Sequence, residues 1–153
     1  MIGLSLASFG IAIAVVQGGL MRIMLKKMGD RGTMIFGLVF NTFAFLAMAT
    51  VTSGTVALIL TPLTALGAVV TPSLQAIMSR TVGDDAQGEL QGVLASTNAL
   101  AVIISPMLMT SVFYAFTAEG APIWLPGAPF LVSMTLMLAC GAVLFARRRA
   151  PAA

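Results

Sequence analysis

The sequence has no histidine, one cysteine, one tryptophan and one tyrosine, and only 8% of its 153 residues are charged. Without histidine, no imidazole can carry a proton or bind a metal. Cys140 has no partner, so there is no disulfide framework. A typical soluble domain carries about 25% charged residues. A soluble chain this poor in charge could not cover its apolar surface, because much of any folded protein still faces water. Also missing are an acid pair inside an apolar run, a metal-ligand spacing and a phosphate-binding glycine loop, so the sequence points away from an enzyme and implies no cofactor. Hydrophobic residues make up 59% of the chain, and apolar runs long enough to cross a bilayer make it a membrane protein. The formal net charge of +3 is not a nucleic-acid signal, because the basic residues fall at the ends of apolar runs rather than in a stripe with interleaved aromatics.

The expected fold class is all-α, with five transmembrane helices. The first span covers residues 1–21 and is interrupted by Gln17, Gly18 and Gly19. It is too long for a signal-peptide core and has no basic residue ahead of it. The charged residues Arg22, Lys26, Lys27, Asp30 and Arg31 follow, with Gly29 as the helix stop. The second span covers 33–51 and contains Asn41, and residues 52–55 form an uncharged turn. The third covers 56–79, with Pro62, Gly67 and Pro72 inside it. A short charged loop follows at 80–86, where Asp84 or Asp85 would cap the next helix. The fourth span covers 87–116 and the fifth 125–146. Between them a polar loop holds Glu119 and Trp124, the latter suited to an interfacial belt. Residues 1–149 form one transmembrane domain and residues 150–153 a short tail.

The basic residues segregate on this scheme. Four follow the first span, Arg80 lies between the third and fourth, and Arg147, Arg148 and Arg149 follow the fifth. All eight fall on one side, and the opposite side holds only Glu119. The positive-inside rule then puts the N-terminus outside and the C-terminus in the cytoplasm. An odd helix count with an outside start is awkward for a transporter built from paired repeats. It suggests the last five helices of a longer protein. A free-standing five-span scaffold without transport activity is the alternative from a different class.

Four blocks carry a family resemblance. They are the run from Gly3 to Gln17, the basic loop Lys26-Lys27-Met28-Gly29-Asp30-Arg31, the stretch Thr71-Pro72-Ser73-Leu74-Gln75-Ala76-Ile77-Met78-Ser79, and above all Gln87-Gly88-Glu89-Leu90-Gln91-Gly92. In order and spacing they resemble the C-terminal half of tetracycline-efflux proteins, drug/proton antiporters of the major facilitator superfamily. The resemblance implies a partial C-terminal helix bundle, helices eight to twelve of a twelve-helix transporter in the bacterial inner membrane. It implies the lipid bilayer, a small drug such as tetracycline and the missing N-terminal half as partners. One departure is Arg22, which stands where the superfamily's loop motif opens with a glycine. Another exporter of the same superfamily, for a different drug, sugar or metabolite, is the nearest alternative.

Polar residues inside apolar helices are the candidate site, because each is costly against lipid. Gln91 and Asn98 are seven apart and share a helix face. They either line a substrate path, offering donors and acceptors, or hydrogen-bond between helices. Gln17 and Asn41 carry the same two readings, while Gln75 either joins a polar patch in the path or sits beside a proline kink that only shapes the helix. Gln87 is expected at the membrane surface as a cap. Gly88 and Gly92 form a small-xxx-small pair for close helix packing, and Pro72 frees a backbone carbonyl next to Gln75. Lys26, Lys27, Gly29, Asp30 and Arg31 form the cytoplasmic loop motif. Glu89 fits the helix dipole without further function. None of the five acidic residues lies mid-span, so the proton carriers of an antiporter must lie in the missing N-terminal part.

Overall fold

The computed structural model describes residues 2–121 and 123–147, and within them the chain is helical almost throughout. Helix α1 covers Ile2–Val15, and a π-helical segment, Val16–Leu20, joins it to α2 at Met21–Thr50. After the extended residues Val51 and Ser53 come α3 (Gly54–Thr64), a 3-10 segment (Ala65–Val69) and α4 (Val70–Ser79). A short 3-10 turn, Asp84–Ala86, leads into α5 (Gln87–Thr117), and α6 covers Ala128–Arg147. Arg148, Arg149 and the expected tail at 150–153 lie outside the described residues, as does Pro122.

The expectation of five spans is not matched. Among the described residues, four segments are long and apolar enough to cross a membrane: Leu6–Thr50, Gly54–Ser79, Asp84–Thr117 and Ala128–Ala146. The expected first and second spans fall in one helical segment, because the charged stretch between them stays helical. Arg, Lys, Met and Leu are all good helix formers. Only Gly29 leaves helical geometry there, at φ 68° and ψ 176°. That positive φ is open to glycine and strained for other residues.

The break at Gly29 redirects the chain. The π-helical segment packs against the 3-10 segment Ala65–Val69, and so does the later part of α2. A Cβ on Gly37 would lie 2.8 Å from Val69 Cγ2 and 2.7 Å from Val70 Cγ2. A straight helix separates residues 20 and 37 by about 25 Å, too far for both to reach one five-residue segment. The two arms of Leu6–Thr50 therefore fold toward the same neighbour.

The second arm of α2 is the centre of the bundle. On one side its Asn41 stands directly over Gly67, and Gly37 lets Val69 and Val70 approach. On the other, Gly141 of α6 lies against Leu38, and Gly127 lies on the backbone of Ala49. The rings of Phe45 and Phe130 meet with centroids 6.5 Å apart. The first arm closes a small apolar cluster of Val16, Met24, Ala65 and Val69, flanked by Phe9, Ile13 and Leu66. Pro62 and Pro72 bracket this contact. Each lacks an amide donor, which loosens the α-helical ladder where the backbone tightens into the 3-10 turn.

Helix α5 is the exception. Among the described residues it packs chiefly along α6, and none of its residues is buried. Its Val102, Ile103, Met107 and Tyr114 are all exposed.

Close backbone contacts make a direct prediction. Gly127→Ala drives a methyl group into the Ala49 backbone, so it should lower stability by about 1–3 kcal/mol. Gly92→Ala meets open space and should leave stability unchanged or slightly raised. Thermal unfolding of the detergent-purified chain, followed by size-exclusion chromatography, measures both.

Candidate functional site

The five amides proposed for a substrate path separate into two kinds. Asn41 is half-buried, and its Nδ2 donates to the Gly67 carbonyl at 3.5 Å. It is a contact between two helices. Gln17, Gln75, Gln91 and Asn98 are exposed. Gln91 and Asn98 share the open side of α5, while Gln75 projects from α4. The two helices leave their shared loop without packing along one another, so the fold does not bring Gln75 and Gln91 together. Gly88 and Gly92 also face open space, with nothing within 4 Å of a Cβ at either position.

The loop between α4 and α5 is held by Gln87. Its Nε2 donates to the carbonyls of Ser79 at 2.8 Å and Val82 at 3.1 Å, and its Oε1 accepts from the Ser79 hydroxyl at 2.9 Å. The expected Asp84 or Asp85 cap is not formed. Ala86 occupies the cap position of α5 and no side chain bonds there, because both aspartates are drawn into the 3-10 turn that begins at Gly83. Gln87 was expected to cap at the surface. Instead it reaches backward and satisfies carbonyls at the end of α4. Glu89 is exposed in the first turn of α5, where the dipole favours it.

A second clasp joins the break at Gly29 to the end of α4. The Arg80 guanidinium pairs with the Asp30 carboxylate at 2.5 Å. Asp30 is mostly buried, with its side chain 15% exposed against 74% for Arg80. Next to it, the Thr33 hydroxyl donates to the Gly29 carbonyl at 2.8 Å, which ties down the chain where the helix breaks. Thr33 and Ser73 are both fully buried, and the Ser73 hydroxyl has no hydrogen-bond partner. Neither stood out in the sequence, because serine and threonine in apolar helices are common. The signal for the Gln87 clasp was legible in principle, since Ser79 and Gln87 flank a Gly-Asp turn. Lys26, Lys27 and Arg31 are exposed.

Two concavities complete the picture. An open groove of about 480 Å³ is lined by Gln17, Gly18, Met21, Arg22, Leu25 and Lys26. An apolar one of about 200 Å³ lies between Phe40, Phe43 and Ala44 of α2 and Leu60, Leu63 and Thr64 of α3. Among the described residues no cluster of acidic, cysteine or histidine side chains could hold a metal.

Known proteins match most of the chain's length. The chain is 36% identical over 140 residues to the class C tetracycline resistance protein of Escherichia coli, covering 92% of this chain and 34% of that protein. It is 34% identical over 128 residues to the class G protein of Vibrio anguillarum, covering 83% of this chain and 33% of that one. The chain matches the C-terminal part of tetracycline resistance proteins. It spans about a third of the length of these relatives. It is also 28% identical over 156 residues to human Hippocampus abundant transcript-like protein 1, covering 87% of this chain and 29% of that protein. No protein-family model and no solved structure matches.

Two substitutions test the clasps. Gln87→Glu keeps the acceptor and removes both donors, so the Ser79 and Val82 carbonyls lose their partner. Stability should fall by about 1–3 kcal/mol, and amide exchange should quicken at residues 79–87. Reversing the second pair, as Asp30→Arg with Arg80→Asp, should recover much of the stability that either change alone removes, and the recovery should shrink at high salt.

Proposed function

We propose that this chain is the C-terminal part of a secondary active exporter that carries tetracycline or a similar drug out of a bacterial cell in exchange for protons. It would form helices eight to twelve of a twelve-helix bundle. The longest segment, Leu6–Thr50, would cross the membrane twice and bring the number of crossings to five. At about 1.5 Å per residue a straight helix of its 45 residues would be about 67 Å long, about twice the hydrocarbon thickness. The break at Gly29 gives the chain a place to turn. With that count the N-terminus lies outside, and the basic loops and C-terminus lie in the cytoplasm. Proton carriers would belong to the N-terminal part, since on this scheme none of the chain's carboxylates falls in the middle of a crossing and Asp30 lies at the turn beside Gly29.

The observation that carries the reading is α5. It is a 31-residue apolar helix with no buried residue, and two exposed amides mark one of its sides. An amide facing lipid is costly. Against a partner domain the same two amides would face a polar path. Alternating access would then rock this bundle against the N-terminal half, with Gln91, Asn98, Gln75 and Gln17 on one wall. Gly88 and Gly92 would supply the smooth contact at the cytoplasmic end of α5. Asn41 belongs to the fixed part of the wall, because its side chain is held by Gly67.

A second reading changes only the substrate. The chain is also similar to a human protein whose name mentions no antibiotic, and another small organic solute is the alternative.

The test uses the full-length protein. Gln91→Ala and Asn98→Ala should each lower tetracycline export by about tenfold, the effect of losing about 1.4 kcal/mol of interaction, with membrane insertion and expression intact. Normal export by both variants would remove the path reading. Loss of tetracycline export from the unmodified protein, with another drug or sugar still transported, would favour the second.

A further inference from the structure

The groove beside the π-helical segment shares only Gln17 with the transport reading, at one end of its lining. Its lining falls on two neighbouring rows of the helix. Gln17, Met21 and Leu25 are spaced by four, and so are Gly18, Arg22 and Lys26. Arg22 and Lys26 are therefore one turn apart on one side, and both are exposed. The Asp30 carboxylate is engaged by Arg80, and no salt bridge involves Arg22 or Lys26 among the described residues. Met21 and Leu25 are half-buried and give the groove an apolar wall. Gly18 leaves it open, since nothing lies within 4 Å of where its Cβ would be.

This combination selects a ligand chemistry. The Arg22 guanidinium offers a planar fork that fits two oxygens of a phosphate, and Lys26 adds a point charge beside it. Gln17 supplies a further amide donor at the far end. A free inorganic anion would use the cations and leave the Met21–Leu25 wall idle. A phosphate ester with an apolar body uses both. The groove also lies where an apolar helix meets its charged end, the depth at which lipid headgroups sit. We infer that the groove binds the phosphate headgroup of an anionic phospholipid. The π turn contributes by widening the helix at Val16–Leu20, so that Gln17 and Gly18 open beside the cations instead of stacking on the preceding turn.

Native mass spectrometry of the delipidated chain, titrated with phosphatidylglycerol and separately with phosphatidylcholine, tests this. Phosphatidylglycerol should bind about tenfold more tightly, and the preference should vanish in Arg22→Gln with Lys26→Gln. Gly18→Leu leaves the charge unchanged and fills the groove, and it should weaken phosphatidylglycerol binding to a similar degree. Lys27→Gln with Arg31→Gln removes the same amount of charge outside the groove and should leave binding nearly unchanged. Circular dichroism confirms that each variant keeps its helices. The site would be overturned by full binding in Gly18→Leu, or by an equal loss in the Lys27 and Arg31 pair, which would mean that unlocalised charge suffices. Displacement of the lipid by equimolar inorganic phosphate would likewise overturn it, in favour of a free-anion site.

Discussion

Close backbone approach holds this chain together. Inside a membrane the lipid tails are as apolar as leucine, so helices gain little by hiding hydrocarbon from one another and depend on packing instead. The closest contacts of the second arm of α2 are made through glycine: Gly37 and Gly67 where it meets the 3-10 segment and the start of α4, and Gly127 and Gly141 toward α6. Each removes a side chain where another helix would collide. The buried set is accordingly small in size and number, with Ala65, Val69, Thr33 and Ser73 at full burial. The 3-10 turn at Ala65–Val69 is the common support, and both arms of the Leu6–Thr50 segment lean on it.

Against that apolar background the polar groups sort by whether they are satisfied. Asn41 has a carbonyl, Gln87 has two carbonyls and a hydroxyl, and Asp30 has Arg80. These groups fix where helices begin, end and cross. Gln17, Gln75, Gln91 and Asn98 stay exposed. A low dielectric makes an unpaired amide expensive, so the exposed set is where the chain still needs water, a ligand or a partner domain. Side-chain identity alone gave no such division, since asparagine and glutamine look the same in a sequence whichever way they are spent.

The length of apolar runs made the later spans legible, and the boundaries at Ser79, Gln87 and Thr117 fall close to those read from sequence. Gly29 was legible too, as a helix stop. What its neighbours would do was not. Helical propensity carried the backbone through the charged residues 22–28, and only one set of dihedrals marks the turn. The π segment had a visible cause in Gln17-Gly18-Gly19, yet no sequence rule distinguishes a widened turn from a simple interruption. The 3-10 turn likewise lies between Pro62 and Pro72, where Asn41 bonds the Gly67 carbonyl. The loop failed for a related reason. Asp84 is a good cap by local preference, but a glutamine eight residues beyond Ser79 reaches two carbonyls that no aspartate in the turn can donate to.

The two clasps lie on the same side of the bundle, and this limits how α5 can move. Arg80 ties the end of α4 to the loop after Gly29, and Gln87 ties the start of α5 to the end of α4. Beyond Gln87, α5 packs chiefly along α6 among the described residues. Its first turn is held by three side-chain hydrogen bonds, and its far end by a single backbone one, from the Leu125 amide to the Phe116 carbonyl at 3.0 Å. A helix held in that way pivots about its base more easily than it slides, because sliding would break three hydrogen bonds at Gln87 while a pivot leaves them intact. The amides at Gln91 and Asn98 lie one and three turns from the pivot. A modest tilt would move Asn98 more than Gln91, so a polar path along α5 would open and close chiefly at its inner end.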